Sequence, residues 1–226
     1  MTEDEAKRWL AANIDVLSDN DSVSRETWLR LETFVEFLKA EAERQNLISA
    51  STLDHIWARH ITDSAQLLRM APSVSGAWID LGSGAGFPGI VVAILSEWKV
   101  TLVESRAKRF DYLVRAIERL GLGARIDVAG MAVERVETQK FDVISARAFA
   151  PLPKLLSLAQ RFSTDKTKWL LPKGRNAANE LAEASKAWDL DFSIQSSVTD
   201  PDAGILVGTV RGARPKTGPA KGQQKR

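Results

Sequence analysis

Between a strand-like run, Ala77-Trp78-Ile79-Asp80-Leu81, and an apolar helix-like run over 88–95, the chain places glycines at 82, 84, 86 and 89. A strand that ends in a glycine-rich turn and feeds a helix is the opening unit of a doubly wound α/β sheet. Ligands of such sheets bind in the crevice at the carboxyl end of the first strand. Glycines there let the backbone turn tightly and approach a ligand with no Cβ in the way. Eighteen residues after Gly86, Glu104 closes a second strand-like run, Val100-Thr101-Leu102-Val103-Glu104. An acid at that strand end can accept hydrogen bonds from both hydroxyls of a ribose. The expected ligand contains a nucleoside.

The rest of the chain agrees with that architecture. An amphipathic helix is expected over 106–120, closed by Gly121, and further strands at 125–129, 141–146, 168–172, about 191–198 and 205–210. Helices near 152–161 and 176–187 separate three of these strands. Alternation of this kind predicts a mostly parallel, doubly wound sheet with helices on both faces. Upstream the texture is purely helical. Trp9, Leu10, Ile14 and Leu17 mark one amphipathic segment near 3–17. Trp28, Leu31, Val35, Leu38 and Ala42 mark a second over 25–46, with Ser22 and Ser24 as candidate N-caps. A third near 52–69 aligns Leu53, Ile56, His60, Ser64 and Leu67 before Pro72 breaks the pattern. The expected organisation is an N-terminal helical layer (1–70), a Rossmann-like domain (71–210) and a basic tail (211–226).

Composition removes whole classes of chemistry. The 226 residues include no cysteine, so disulfides, thiolate metal sites and cysteine nucleophiles are excluded. The two histidines, His55 and His60, are five apart, about 140° around a helix, which is unsuited to a shared metal. No metal site is expected. No apolar run approaches bilayer length and the first residues are acidic, so a cytoplasmic protein with no membrane contact is expected. The net charge of +2 conceals an asymmetry: residues 211–226 carry six Lys/Arg and no acid, leaving a net charge of −4 on the first 210. Such a tail is either a solvated terminus or a nonspecific attractor of nucleic acid.

The loop spacing narrows the nucleoside. A dinucleotide fingerprint would put its third glycine where Phe87 stands, and no Gly-Lys-Ser/Thr follows to make a P-loop. The pattern Asp-x-Gly-x-Gly-x-Gly resembles motif I of S-adenosylmethionine (AdoMet) methyltransferases. In that reading Asp80 helps to hold the amino acid moiety of AdoMet, directly or through the loop. Methyl transfer is an in-line displacement in which the protein aligns the nucleophile and excludes water. It needs a base only where the nucleophile carries a proton. Pyrimidine carbon-5 methylation needs a cysteine, which is absent. The Asn/Asp-Pro-Pro-aromatic turn usual for exocyclic amines is also missing from Ile144-Ser145-Ala146-Arg147-Ala148-Phe149-Ala150-Pro151. Arg147 cannot act as a base, yet it can hold a base edge, a phosphate or a carboxylate. A nucleophile with a free lone pair, such as guanine N7, fits this strand end.

The chain further resembles the RsmG (GidB) family of 16S ribosomal RNA guanine-N7 methyltransferases over about residues 25–210. The likeness rests on Gln45-Asn46-Leu47-Ile48-Ser49, Arg59-His60-x-x-Asp63-Ser64 and the Gly-Ser-Gly-Ala-Gly-Phe-Pro-Gly loop. It also rests on Glu104-Ser105 with Lys108-Arg109, on Ala146-Arg147-Ala148-Phe149 and on Pro172-Lys173-Gly174. It implies methylation of N7 of guanine 527 of 16S rRNA, with AdoMet as cofactor and 16S rRNA or the small ribosomal subunit as partner. By position, Gly82 and Phe87 would line the AdoMet site, with Gly84, Gly86, Asp80 and Glu104 completing it. Val133 and Glu134 would flank the adenine, and Arg147 would close the site as the positioning residue. Arg59, His60 and Lys173 would face the RNA, Lys173 through a phosphate. Asp63 could simply pair with Arg59 one turn away. A monomer is expected. Two rivals stay open: a methyltransferase for a protein or small molecule, and a nonenzymatic RNA-binding protein with a vestigial loop.

Overall fold

The computed structural model describes residues 1–17 and 25–215. Seven strands form one sheet: β1 (Ser75–Leu81), β2 (Glu97–Val103), β3 (Ile126–Ala129), β4 (Val143–Ser145), β5 (Lys168–Lys173), β6 (Trp188–Ser196) and β7 (Gly204–Ala213). Their spatial order is β3-β2-β1-β4-β5-β7-β6. The first five run parallel, and β7 inserts antiparallel between β5 and β6. This is the mostly parallel, doubly wound sheet expected of a class I Rossmann-like fold. The order reverses beside β1, between β2 and β4, which opens a crevice at the carboxyl ends of those strands.

Alternation along each strand separates two cores. Trp78, Trp98, Val100, Leu102, Val143, Leu170 and Ile205 point to one face. Ile79, Leu81, Val103, Ile144, Trp169, Leu171 and Leu206 point to the other. The first face is covered by α1 (Glu3–Leu17), α2 (Arg25–Ala42), a helical run over 50–70, α4 (Gly89–Leu95) and α5 (Ala107–Arg119). The second lies under α6 (Leu152–Ala159) and α7 (Ala177–Ala184). The N-terminal helices therefore share one continuous core with the sheet.

The run over 50–70 is not a regular helix. A 3-10 segment, Ala50–His55, passes into π-helical turns, Trp57–Thr62, then α3, Asp63–Ala65, and a second 3-10 segment, Gln66–Met70. Glu3 from α1 accepts the Trp57 and Ala58 backbone N–H groups (3.1 and 2.8 Å), satisfying donors at the start of the π turns. π-Helical turns often mark functional sites, because they re-aim side chains. Here they carry Arg59 and His60.

The tail begins later than its composition suggests. β7 continues to Ala213, Arg211 pairs with Asp191 at 3.3 Å, and Arg214 donates to the Trp188 carbonyl at 3.0 Å. Ladder hydrogen bonds to β6 outweigh the loop-like composition of 211–215. The remaining tail residues, 216–226, and the candidate caps Ser22 and Ser24 lie outside the described residues. No helix among the described residues is long and apolar enough to cross a membrane.

Candidate active site

The glycine loop starts where β1 ends. Gly82 and Ser83 donate their N–H groups to the Val103 carbonyl (2.9 and 3.0 Å), which ties the loop to the end of β2. Gly84 has φ +57°, and a Cβ there would point toward the Arg109 guanidinium rather than into packed backbone. Gly89 begins α4, and a Cβ there would collide with Leu102 and crowd Asp80. The first glycine leaves space at the crevice, whereas the second lets the helix pack down on the sheet.

Two cavities meet at this edge of the sheet. The first, about 520 Å3, is lined by the loop (Gly82, Gly84, Phe87), by Glu104 and Arg109, and by Val133. Leu47 and Ile48, from the segment after α2, cover it. The Glu104 side chain lies at the cavity with Oε2 accepting the Gly84 N–H (3.1 Å) and Oε1 accepting the Arg106 N–H (2.9 Å). A buried carboxylate held by two backbone donors keeps its orientation, and each oxygen retains a lone pair for a hydroxyl. These residues fit a nucleoside cofactor with a ribose at Glu104.

Asp80 takes the indirect of the two places expected of it, behind the loop. It is fully buried and outside the cavity lining. Its Oδ1 accepts the Ser145 hydroxyl (2.8 Å), which in turn accepts the Trp78 indole N–H (2.8 Å). Its Oδ2 accepts the Gly89 N–H at 3.3 Å. Burial pushes the Asp80 carboxyl up to about 6, against the pull of these donors. Asp80 thus shapes the loop from behind. Gly86 is likewise set back, packed on Ile90, and Glu134 is exposed and outside the lining. The short turn after β3 sends Val133 inward and the next residue outward.

The second cavity, about 720 Å3, lies beside the first, and the two share His60, Arg147, Ala148 and Phe149. Arg147 follows β4 and is held on several sides. It donates to the Arg59 carbonyl (3.1 Å) and to His60 Nδ1 (3.0 Å), reaches Asp63 at 3.5 Å and lies over the Phe87 ring at 5.2 Å. His60 stacks on the same Phe87 ring at 4.9 Å. Burial and the Arg147 and Arg59 charges bring the His60 pKa down to about 3. The imidazole is therefore neutral near pH 7. Because Nδ1 accepts from Arg147, the proton sits on Nε2, which faces the Thr52 hydroxyl at 3.1 Å.

Asp63 does not pair with Arg59. Arg59 instead reaches across to Asp200 at 3.1 Å, in the β6–β7 connection. The π-helical turns carry the two side chains apart, and Arg147 occupies the space before Asp63. Asp63 Oδ1 also accepts the Thr199 hydroxyl (2.9 Å) and the Gln66 amide (2.9 Å). Lys173 lines the second cavity, but it is engaged: its Nζ sits 2.8 Å from Glu180 and 3.2 Å from the Ala150 carbonyl, with the side chain only 10% exposed. The lysine expected to meet RNA phosphate is thus held by protein oxygens at the cavity wall. The residues around 197–203 escaped sequence reasoning. Only the antiparallel insertion of β7 brings that connection to the cavity, and no local pattern announces it. Among the described residues no group of three or more His, Asp or Glu could hold a metal.

Comparisons with known proteins give the family and the fold. The family model for GidB, rRNA small subunit methyltransferase G, matches residues 28–204. A ribosomal RNA small subunit methyltransferase G from Zymomonas mobilis is 49% identical over 227 residues, covering 96% of this chain and 99% of that protein. Another, from Sphingopyxis alaskensis, is 54% identical over 198 residues, covering 87% and 84%. In fold, the chain resembles a SAM-dependent methyltransferase from Aquifex aeolicus (TM-score 0.55, 13% identity, covering 76% and 97%). It also resembles the O-methyltransferase from Bacillus cereus in complex with SAH (TM-score 0.55, 16% identity, covering 79% and 90%). The family match spans the glycine loop, Glu104 and the Arg147–His60 pair, so this chain belongs to the rRNA small subunit methyltransferase G (GidB) family.

Proposed function

We propose that this AdoMet-dependent rRNA methyltransferase transfers the methyl group to N7 of guanine 527 in 16S rRNA. The observation that carries the atom is the absence of a usable base in the wall shared by the cavities. Of its four residues, Ala148 and Phe149 have no titratable group, Arg147 is a cation, and the His60 Nδ1 lone pair already accepts from Arg147. A nucleophile that must lose a proton finds no free acceptor in that wall, and the carboxylates that line the second cavity, Asp63, Glu180 and Asp200, are each already paired with a cation. Guanine N7 attacks with its lone pair and needs none.

The charge pattern of the second cavity suits an uncharged ring. Its three cations are paired within it: Arg59 with Asp200, Arg147 with Asp63, and Lys173 with Glu180. A nucleobase can exchange hydrogen bonds with such pairs, whereas a phosphate would have to break one. Glu104, the glycine loop and Val133 would hold AdoMet in the first cavity. Its sulfonium supplies an electrophilic methyl group. Guanine N7 would accept that group with its own lone pair as the S–C bonding pair returned to sulfur, and the positive charge would pass to the purine. Arg147 and His60 exclude water and orient the ring. The carboxylate of Asp63 keeps the wall near neutral as that charge arrives.

Methyl-labelled AdoMet, incubated with small subunits lacking the modification, tests the proposal. Label at one 16S rRNA site, recovered as 7-methylguanosine, is expected. Label confined to protein or small molecules would overturn it.

A further inference from the structure

The segment between β4 and α6 forms the wall between the cavities, and its backbone is unusual. Ala148 has φ +51°, the one non-glycine residue with positive φ among the described residues. The left-handed region is costly for an L-residue with a Cβ. Something must hold it. Upstream, Arg147 is anchored to the Arg59 carbonyl, His60 and Asp63. Downstream, Lys173 donates to the Ala150 carbonyl at 3.2 Å, while Glu180 Oε2 accepts both Lys173 (2.8 Å) and the Leu152 backbone N–H (2.9 Å). Phe149, between the two anchors, lies against the glycine loop: a Cβ on Gly82 would stand 2.5 Å from its ring.

We propose that Lys173 and Glu180 are positioning residues that clamp the left-handed turn at Ala148. In this way the ends of β5 and α7 set the wall against which methyl donor and acceptor meet. The geometry departs from that of a phosphate ligand. Nζ is mostly buried, it is neutralised by a carboxylate, and two of its three donors are already used on protein oxygens. The inference rests on the methyl-transfer reading for its kinetic effect, though not for its structural one.

A double-mutant cycle between Lys173→Met and Ala148→Gly tests it. Glycine adopts positive φ freely, so the clamp matters less once Ala148 is replaced. Lys173→Met alone should lower single-turnover methylation about tenfold, the order of factor to which the left-handed cost of one residue converts. In the Ala148→Gly background the same change should cost no more than about threefold, and AdoMet affinity should hold throughout. Glu180→Gln supplies a second arm of opposite sign. A clamp predicts a slower rate with unchanged affinity for small subunits. A phosphate-binding Lys173, freed from its carboxylate, predicts tighter RNA binding and a steeper salt dependence. Additive losses in the cycle, or tighter RNA binding by Glu180→Gln, would overturn the clamp. Urea unfolding of the same four proteins reads the coupling without substrate. Wild type that fails to label rRNA while the stability coupling persists refutes the methylation reading and leaves the clamp standing. Additive stabilities refute the clamp whatever the substrate.

Discussion

Gly84 lines the first cavity, proposed above to hold AdoMet, with no side chain, and a Cβ there would stand 3.5 Å from its nearest neighbour, the Arg109 guanidinium. Gly84→Asp would fill that space and draw a new carboxylate onto Arg109. It should abolish AdoMet binding by calorimetry while leaving the thermal midpoint within a few degrees, because φ +57° is a conformation Asp tolerates better than most residues. Arg147→Ala removes the group that orders the shared wall. A preorganised contact of this kind is worth ~2–4 kcal/mol, so methyl transfer should fall at least tenfold with AdoMet affinity far less affected. His60 gives a pH signature. Its folded pKa, about 3, lies below its ordinary value of 6.5, so the unfolded chain binds a proton that the folded chain refuses. Its contribution to stability is whole above pH 6.5 and is lost as pH falls toward 3. His60→Gln should therefore flatten the acid limb of stability measured by urea unfolding. Asp80, pushed up to about 6, acts in the opposite sense, stabilising at low pH and losing that contribution as pH rises through 6. The difference between wild type and His60→Gln isolates the histidine from it.

Among the elements, the irregular run over 50–70 decides most. Its sequence carries a helical apolar line, and Ile56, His60, Ser64 and Leu67 are all buried as that line predicts. Its π-helical turns were not legible there, since they depend on partners brought from afar. Glu3 of α1 takes up the Trp57 and Ala58 N–H groups, Thr52 meets His60, and Thr199 meets Asp63. Glu3→Ala should cost about 1–2 kcal/mol by urea unfolding, the usual penalty for leaving helix-terminal donors unmet. The glycine loop is the contrasting case. Its conformation follows from local demands, a tight turn and close helix packing, so its place after β1 could be read from residue types alone. Its neighbour Asp80 shows where such reading stops: the same residue type at the same position can face a ligand or brace a loop, and burial chose the second.

At the scale of the whole molecule, the N-terminal helices and the sheet form one packed body, with the tail residues beyond 215 adding charge. Residues 216–226 hold Lys216, Lys221, Lys225 and Arg226 and no acid. Deleting them should leave thermal stability and AdoMet affinity unchanged. Binding to small subunits should lose salt dependence, the log–log slope falling by up to about 3 if all four cations meet phosphate. Strand alternation, glycine spacing and the acid at the end of β2 were determined by sequence alone. They report local physics: period-2 burial, positive φ, and a strand end whose acid is free to accept hydroxyls. The doubly wound sheet and the glycine loop beside the first cavity follow from them. Only the tertiary structure decided which charges pair around the second cavity. Arg59 left Asp63 for Asp200, Asp63 took Arg147, and Lys173 turned from solvent to Glu180. Each partner lies on another element, and a charge settles where burial leaves it the best-matched neighbour, a distance in space that sequence separation does not encode.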